Sequence, residues 1–220
     1  MEKYFDLILA TPLFNGMDKH ELSLIMGCLS AQQKIISKGE PVFLEGDPAG
    51  MIGMVLQGSI QIVRDDIYGN RSLIAQADAG DLFAEAFACA AIPTMPVSAF
   101  AKTDSTVLVM DHRKILTVCS NSCRFHNLLI KNLLQVVAQK NLALSSKIRL
   151  MSQKTTREKL LAYLLDQAKI NGCTEFTIPL DRQALADYLG VERSAMSTEL
   201  GKLKKQGIID FKGSHFVFKQ

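Results

Sequence analysis

No run of about 18 apolar residues occurs in this 220-residue chain, which excludes a membrane-spanning helix. The opening MEKYFDLILATPLF carries acidic residues and lacks a signal-peptide profile, so no such leader is expected. Cysteine is sparse and odd in number. Cys28, Cys89, Cys119, Cys123 and Cys173 are not arrayed as a disulfide framework, and a reducing cytoplasm is the simplest home. Excess charge of one sign is missing from the front of the chain, where residues 1–151 hold 14 Lys and Arg against 14 Asp and Glu. Residues 152–220 hold 11 against 8, so the whole net charge of +3 sits there, with the sign that suits a nucleic-acid partner. Hydrophobic residues, at 48%, suffice for a real core, and the length suits two modest domains.

Glycine and proline are absent from Ser122–Met151. There, Ile130, Leu134, Val137, Asn141, Leu144, Ile148 and Met151 follow gaps of 4, 3, 4, 3, 4 and 3, an unbroken heptad seam. A helix over Cys123–Met151 would span roughly 43 Å at about 1.5 Å per residue. That length and seam predict a parallel pair of helices, one per subunit, in a homodimer. Asn141 is the polar seam position that fixes register and strand number. A long helix packing only on its own domain is the alternative.

Ahead of it, Asp18 is placed to cap a helix over Lys19–Leu29. From 31 to 110, short apolar runs alternate with turn signals at Gly39, Gly46-Asp47, Gly58, Gly69-Asn70 and Gly80-Asp81. Strands are expected at Val42–Leu44, Met54–Leu56, Ser59–Val63, Ser72–Ala75 and Thr106–Met110, forming an all-β barrel or roll. A helical turn around Phe83–Cys89 and a strand from Val97 interrupt the pattern, and Glu85 is the only charge between Asp81 and Lys102.

Beyond a polar hinge at 152–156, Thr156 is read as the cap of a helix over Arg157–Ile170, ended by Gly172. A strand is expected at Phe176–Leu180. Asp181 then caps Arg182–Leu189, Gly190 turns the chain, and Glu192–Lys205 makes a second helix, with a hairpin over Ile208–Phe211 and Ser214–Lys219. Two short helices about a glycine turn, followed by a hairpin, fit a winged helix-turn-helix. Arg193, Ser194, Ser197 and Thr198 lie where a second helix reaches base edges in a major groove. Arg182, Gln183, Lys202 and Lys212 are candidates for phosphate contacts, and Lys204 and Lys205 add charge.

The segments KGEPVFLEGDPAG (38–50), LQGSIQI (56–62), TTREKLLAYLLDQA (155–168) and LADYLGVERSAMSTELGKLKKQGII (185–209) resemble, in this order, the Crp/Fnr family of bacterial transcription regulators. The resemblance covers nearly the whole chain. It implies an α+β protein with an N-terminal β-roll (a jelly roll, or double-stranded β-helix) carrying short helices, a long dimerisation helix and a C-terminal winged helix-turn-helix. The corresponding divisions are a cyclic-nucleotide-binding-like sensor over 1–121, the helix and hinge over 122–152, and the DNA-binding domain over 153–220. It implies a homodimer on a palindromic operator in double-stranded DNA, controlled by a small effector, with RNA polymerase as a further partner, no membrane and no catalytic residues.

Against the members that bind cyclic AMP, this chain departs at the pocket. Their Gly-Glu turn is Ala84-Glu85 here, after Phe83. The Arg-Ser that pairs the cyclic phosphate is Val97-Ser98, and the Thr-Ser pair of the long helix that meets the base is Leu142-Ala143. Val97 offers neither charge nor donor to a cyclic phosphate. The expected effector is therefore an unidentified small molecule other than a cyclic nucleotide, and no cofactor is predicted. On the recognition helix, Ser194 and Thr198 stand where many relatives carry Glu and Arg, and Glu199 stands where an apolar residue is usual, with Leu200 available to take over the packing.

Three other readings differ in class. Cys119, Cys123 and His126 could face one ion, but their spacing is loose and half of a four-ligand set is missing, so no metal is predicted. A metal-, haem- or redox-sensing regulator, or one whose roll is a ligand-free scaffold, remains the alternative. A cupin-like enzyme would need a histidine-rich cluster on the strands, whereas the roll has only His112, at its end.

Overall fold

The computed structural model describes residues 1–117 and 124–219. Packing divides the chain into two compact units, Met1–Gln139 and Lys140–Gln220.

In the first unit, helices α1 (Phe5–Leu9) and α2 (Lys19–Cys28) precede a roll. The strands are β1 (Gln32–Ile36), β2 (Pro41–Phe43), β3 (Met51–Gln57), β4 (Ser59–Asp65), β5 (Arg71–Asp78), β6 (Leu82–Phe83), β7 (Ser98–Ala101) and β8 (Ser105–Asp111). Helix α3 (Glu85–Cys89) follows β6, α4 (His112–Leu116) follows β8, and α5 (Arg124–Met151) is the long helix. Two four-stranded antiparallel sheets, β1-β8-β3-β6 and β2-β7-β4-β5, form the roll. Asp18 caps α2 in a reciprocal box with Glu21, at 2.8 and 2.9 Å.

Strand β3 reads as a continuous apolar run because both its faces are covered. Val55 points with Val107, Val109, Ile60 and Phe83 into the roll. Ile52, Met54 and Leu56 point the other way, beneath Ile8, Phe14, Leu22 and Ile25 of the N-terminal segment and Leu129, Leu133 and Val136 of α5. Each such side chain contributes roughly 1.5–3 kcal/mol on burial. Gly53 makes the inner face possible, since a Cβ there would lie 2.2 Å from the Phe83 ring. Asn132 of α5 is buried, and its amide donates to Leu13 O at 3.0 Å and Asn15 O at 2.9 Å.

The second unit contains the last turns of α5, α6 (Thr156–Asn171), β9 (Glu175–Thr177), α7 (Arg182–Leu189), α8 (Arg193–Lys205), β10 (Ile209–Lys212) and β11 (His215–Phe218). Its core joins Leu150 to Leu160, Leu164, Leu185, Leu189, Met196, Leu200, Leu203 and Phe216. Strands β10, β11 and β9 form one antiparallel sheet, in which Lys212 pairs with His215 across the hairpin turn.

Several local expectations are corrected. Thr155, not Thr156, caps α6, because only from Thr155 does the third helical residue, Glu158, return its side chain to the cap N–H, at 3.0 Å. Phe83 ends a strand instead of opening a helix, because Ala84 takes φ 64° and breaks the helical path. Asp111 ends β8 and caps α4 by accepting the Arg113 N–H, so His112 lies on a helix rather than on a strand. β1 is not marked in the sequence, because its polar QQKII has no clean alternation at the sheet edge, where Ile35 stays 80% exposed.

Candidate nucleic-acid interface and effector pocket

The paired helices α7 and α8 are set by their caps and by small residues between them. Asp181 accepts the Ala184 N–H at 2.8 Å to start α7, and Gly190 ends it in the left-handed region. Val191 then donates to Ala186 O at 3.0 Å, which turns the chain into α8. Met196, Leu200 and Leu203 are buried at i, i+4 and i+7, against Leu185, Ala186 and Leu189.

That burial leaves Arg193, Ser194, Ser197 and Thr198 together on the outer face, all exposed. Arg193 makes no hydrogen bond or ion pair with any described residue, so its five donors are available. Ser194 Oγ donates to Glu192 Oε1 at 2.6 Å, and Thr198 Oγ1 donates to Ser194 O at 3.0 Å. Both hydroxyls therefore keep acceptor capacity outward. Leu200 is buried while Glu199 pairs with Lys202 at 2.6 Å. Glu199 also lines, with Thr155, Thr156, Arg157, Ala195 and Thr198, a cleft of about 550 Å³ beside the start of α6.

The candidate phosphate ligands divide. Lys212 is exposed on the wing, and its ammonium has no partner among the described residues. Gln183 donates to Asp187 Oδ1 at 2.9 Å within its own helix. Lys204 and Lys219 both reach Asp210, at 2.5 and 3.3 Å, and with the Phe211 N–H they hold its carboxyl down at about 2. Arg182 is turned onto the wing. Its Nη2 donates to Gly213 O at 2.8 Å, and its guanidinium lies 4.8 Å from the Phe211 ring and 5.1 Å from that of Phe216. Burial lowers its pKa.

In the roll, Phe83, Ala84, Glu85, Val97 and Ser98 are all buried, and Phe83, Ala84 and Val97 belong to one apolar cluster. Phe83 packs 5.7 Å from Phe43, centroid to centroid, and Val97 joins the same apolar cluster. Ser98 Oγ accepts the Glu45 N–H at 2.9 Å. Glu85 opens α3 and is 4% exposed. Leu142 and Ala143 are exposed on α5, Leu142 at 68%.

The heptad seam presents its apolar members outward in a single chain: Leu134, Leu144 and Ile148 are 69%, 59% and 60% exposed, and Asn141 is exposed beside them. Ile130 and Val137 are half-buried, and Met151 is exposed. The adjacent face, about 100° round the helix, carries the buried Leu129, Leu133 and Val136.

His126 is buried, while Cys119 and Cys123 lie outside the described residues. Among the described residues no group of three His, Cys, Asp or Glu is placed to hold a metal. Also among them, no helix is long and apolar enough to cross a membrane. Two histidines have partners that the sequence did not reveal. His112 Nδ1 lies 2.7 Å from Gly50 O and 3.9 Å from Asp111, and His215 Nε2 lies 3.0 Å from Glu175. Gly50 and Glu175 lie far from these histidines along the chain, so nothing local announces either contact.

Residues 33–122 match the cyclic nucleotide-binding domain family, and residues 158–219 match the Crp-like helix-turn-helix domain family. The chain is 24% identical over 204 residues to Electron transport regulator A of Shewanella oneidensis, covering 84% of this chain and 74% of that protein. It is 24% identical over 199 residues to the Cyclic AMP receptor protein of Thermus thermophilus, covering 90% and 88%. The crystal structure of DNR from Pseudomonas aeruginosa shares the fold at a TM-score of 0.54 and 20% identity, covering 100% of this chain and 95% of that one.

Proposed function

The chain belongs to the Crp/Fnr family of transcription regulators and is a DNA-binding regulator of that type, and from that premise we propose how this particular chain reads DNA and what controls it. The protein works as a homodimer joined along Ile130, Leu134, Val137, Asn141, Leu144, Ile148 and Met151. The sensor occupies 1–121, the helix and hinge 122–152, and the reader 153–220. Two copies of α8 enter successive major grooves about 34 Å apart on a palindromic operator. Arg193, Ser194, Ser197 and Thr198 meet base edges and Lys212 meets a phosphate. RNA polymerase is the further partner, and the protein acts in the cytoplasm without catalysing a reaction.

The observation that carries the reading is the outer face of α8, with Arg193 unengaged among small hydroxyl side chains. The test is selection of duplexes from a random pool, followed by affinity measurement at fixed salt. Arg193→Ala should cost about 1–3 kcal/mol on the selected duplex and little on random DNA, as removal of a bidentate guanine pairing does. An unchanged ratio of the two affinities removes that role.

One relative is named as a cyclic AMP receptor, but the roll of this chain supports a different effector. Val97 is buried in an apolar cluster where a cyclic phosphate needs a cation, and Ser98 already receives a backbone N–H. Phe83 fills the adjoining interior against Gly53 and Phe43. Isothermal titration with cyclic AMP and cyclic GMP should find no micromolar site, and a micromolar Kd for either would overturn this part of the reading.

A further inference from the structure

We propose that Arg182 is a positioning residue that locks the β10–β11 wing against the start of α7 and so aims Lys212, instead of holding a DNA phosphate itself. The inference rests on the reading of Lys212 as a phosphate ligand. Three bonds meet at the wing turn. Ser214 Oγ donates to Leu180 O at 2.9 Å, and Ile178 N donates to Ser214 O at 3.0 Å; both tie the turn to the strand side. Arg182 supplies the third tie, to Gly213 O at 2.8 Å, from the helix side. Its guanidinium also lies over two rings, Phe211 on β10 and Phe216 on β11, so one plane clamps both strands of the hairpin. Lys212 is the residue directly before Gly213 and directly after Phe211, between the two points where the clamp grips. One N–H of Arg182 is committed to Gly213 O and its plane to the two rings, so a phosphate would compete with this seat for the guanidinium. Lysine could not replace it, because an ammonium has no plane to stack and no fork to reach a carbonyl while stacked.

The experiment measures binding of the full-length protein to a random-sequence duplex across a range of salt, for Lys212→Ala, Arg182→Met, Arg182→Lys and the Lys212→Ala/Arg182→Met double variant. Abolishing one ion pair with a phosphate makes the slope of log affinity against log salt shallower by about 0.9. If Arg182 acts through the wing, Lys212→Ala and Arg182→Met each flatten the slope by about 0.9, and the double variant flattens it by no more than either alone. Arg182→Lys, which keeps the charge but not the clamp, should match Arg182→Met. It also keeps the test valid if the methionine variant fails to fold, which circular dichroism would report. A double variant whose slope flattens by about 1.8, or an Arg182→Lys slope like that of the parent, means that Arg182 touches phosphate itself and overturns the assignment. A parental slope for Arg182→Met overturns it too. A parental slope for Lys212→Ala alone instead rejects the pairing of the wing with phosphate, and the assignment falls with it.

Discussion

A chain carrying Leu144→Glu and Ile148→Glu should sediment as a monomer where the parent should sediment as a dimer. Both side chains are more than half exposed in the single chain, so the exchange removes nothing from either core and the far-ultraviolet circular dichroism should not change. In a helix pair the same residues form four buried apolar side chains, two from each copy. Full burial is worth roughly 1.5–3 kcal/mol each, and because each is already partly buried their loss removes about 4–7 kcal/mol of association, before the four like charges repel. DNA binding should fall with it. Two readers on one rod bind the second half-site intramolecularly, a gain of about 10²–10⁴ in affinity that a monomer forfeits. Analytical ultracentrifugation and operator binding, run together, decide the matter. A double variant that remains dimeric, with undiminished affinity, would remove the seam from the account.

The second large effect belongs to the roll. Gly58→Ala, at the turn between β3 and β4, should lower the unfolding free energy by about 2–5 kcal/mol. Its φ is +85°, where an L side chain is strained by about 1–2 kcal/mol. A Cβ there would also lie 2.3 Å from Ser105 Oγ and 2.6 Å from Asp104 O, and overpacking of this kind costs about 1–3 kcal/mol. The serine cannot easily step aside, because its hydroxyl donates to Thr103 O at 2.8 Å and receives the Ser59 N–H at 3.2 Å. Urea melts measure the loss. Gly27→Ala is the control, since it lies in α2 with nothing within 4 Å of the new methyl and should not destabilise. A Gly58→Ala melt that overlays the parent's would refute the clash.

Signals that depend on neighbours along the chain were legible in the sequence. The Asp18 and Asp181 caps, the Gly190 turn, the apolar period of α8 and the glycine- and proline-free run of α5 are local features, where one helix face or one cap fixes the outcome. Boundaries that depend on distant partners were not legible. β1 owes its strand to hydrogen bonds with β8, some seventy residues later. Phe83 belongs to a strand because Gly53, thirty residues earlier, leaves room for its ring. Arg182 shows the same limit within the candidate interface. A basic residue at a helix start suggests an anion, and nothing local announces that Phe211 and Phe216 will fold back beneath it.

Strand β3 is a party wall. One ply of backbone has the roll's interior on one side and the seat of the long helix on the other, and both sides are lined by buried apolar side chains. A lineage adapting this roll to a new chemical cue can remodel from the inner room, trading Phe83 for a smaller residue while Gly53 keeps its place. The same trade on the outer side, at Met54 or Leu56, would unseat the rod before it altered what the roll can hold. Whatever diversity of signals such a roll has explored should therefore be written on residues facing the inner room, Phe83 of β6 among them, and not on the outer face of β3.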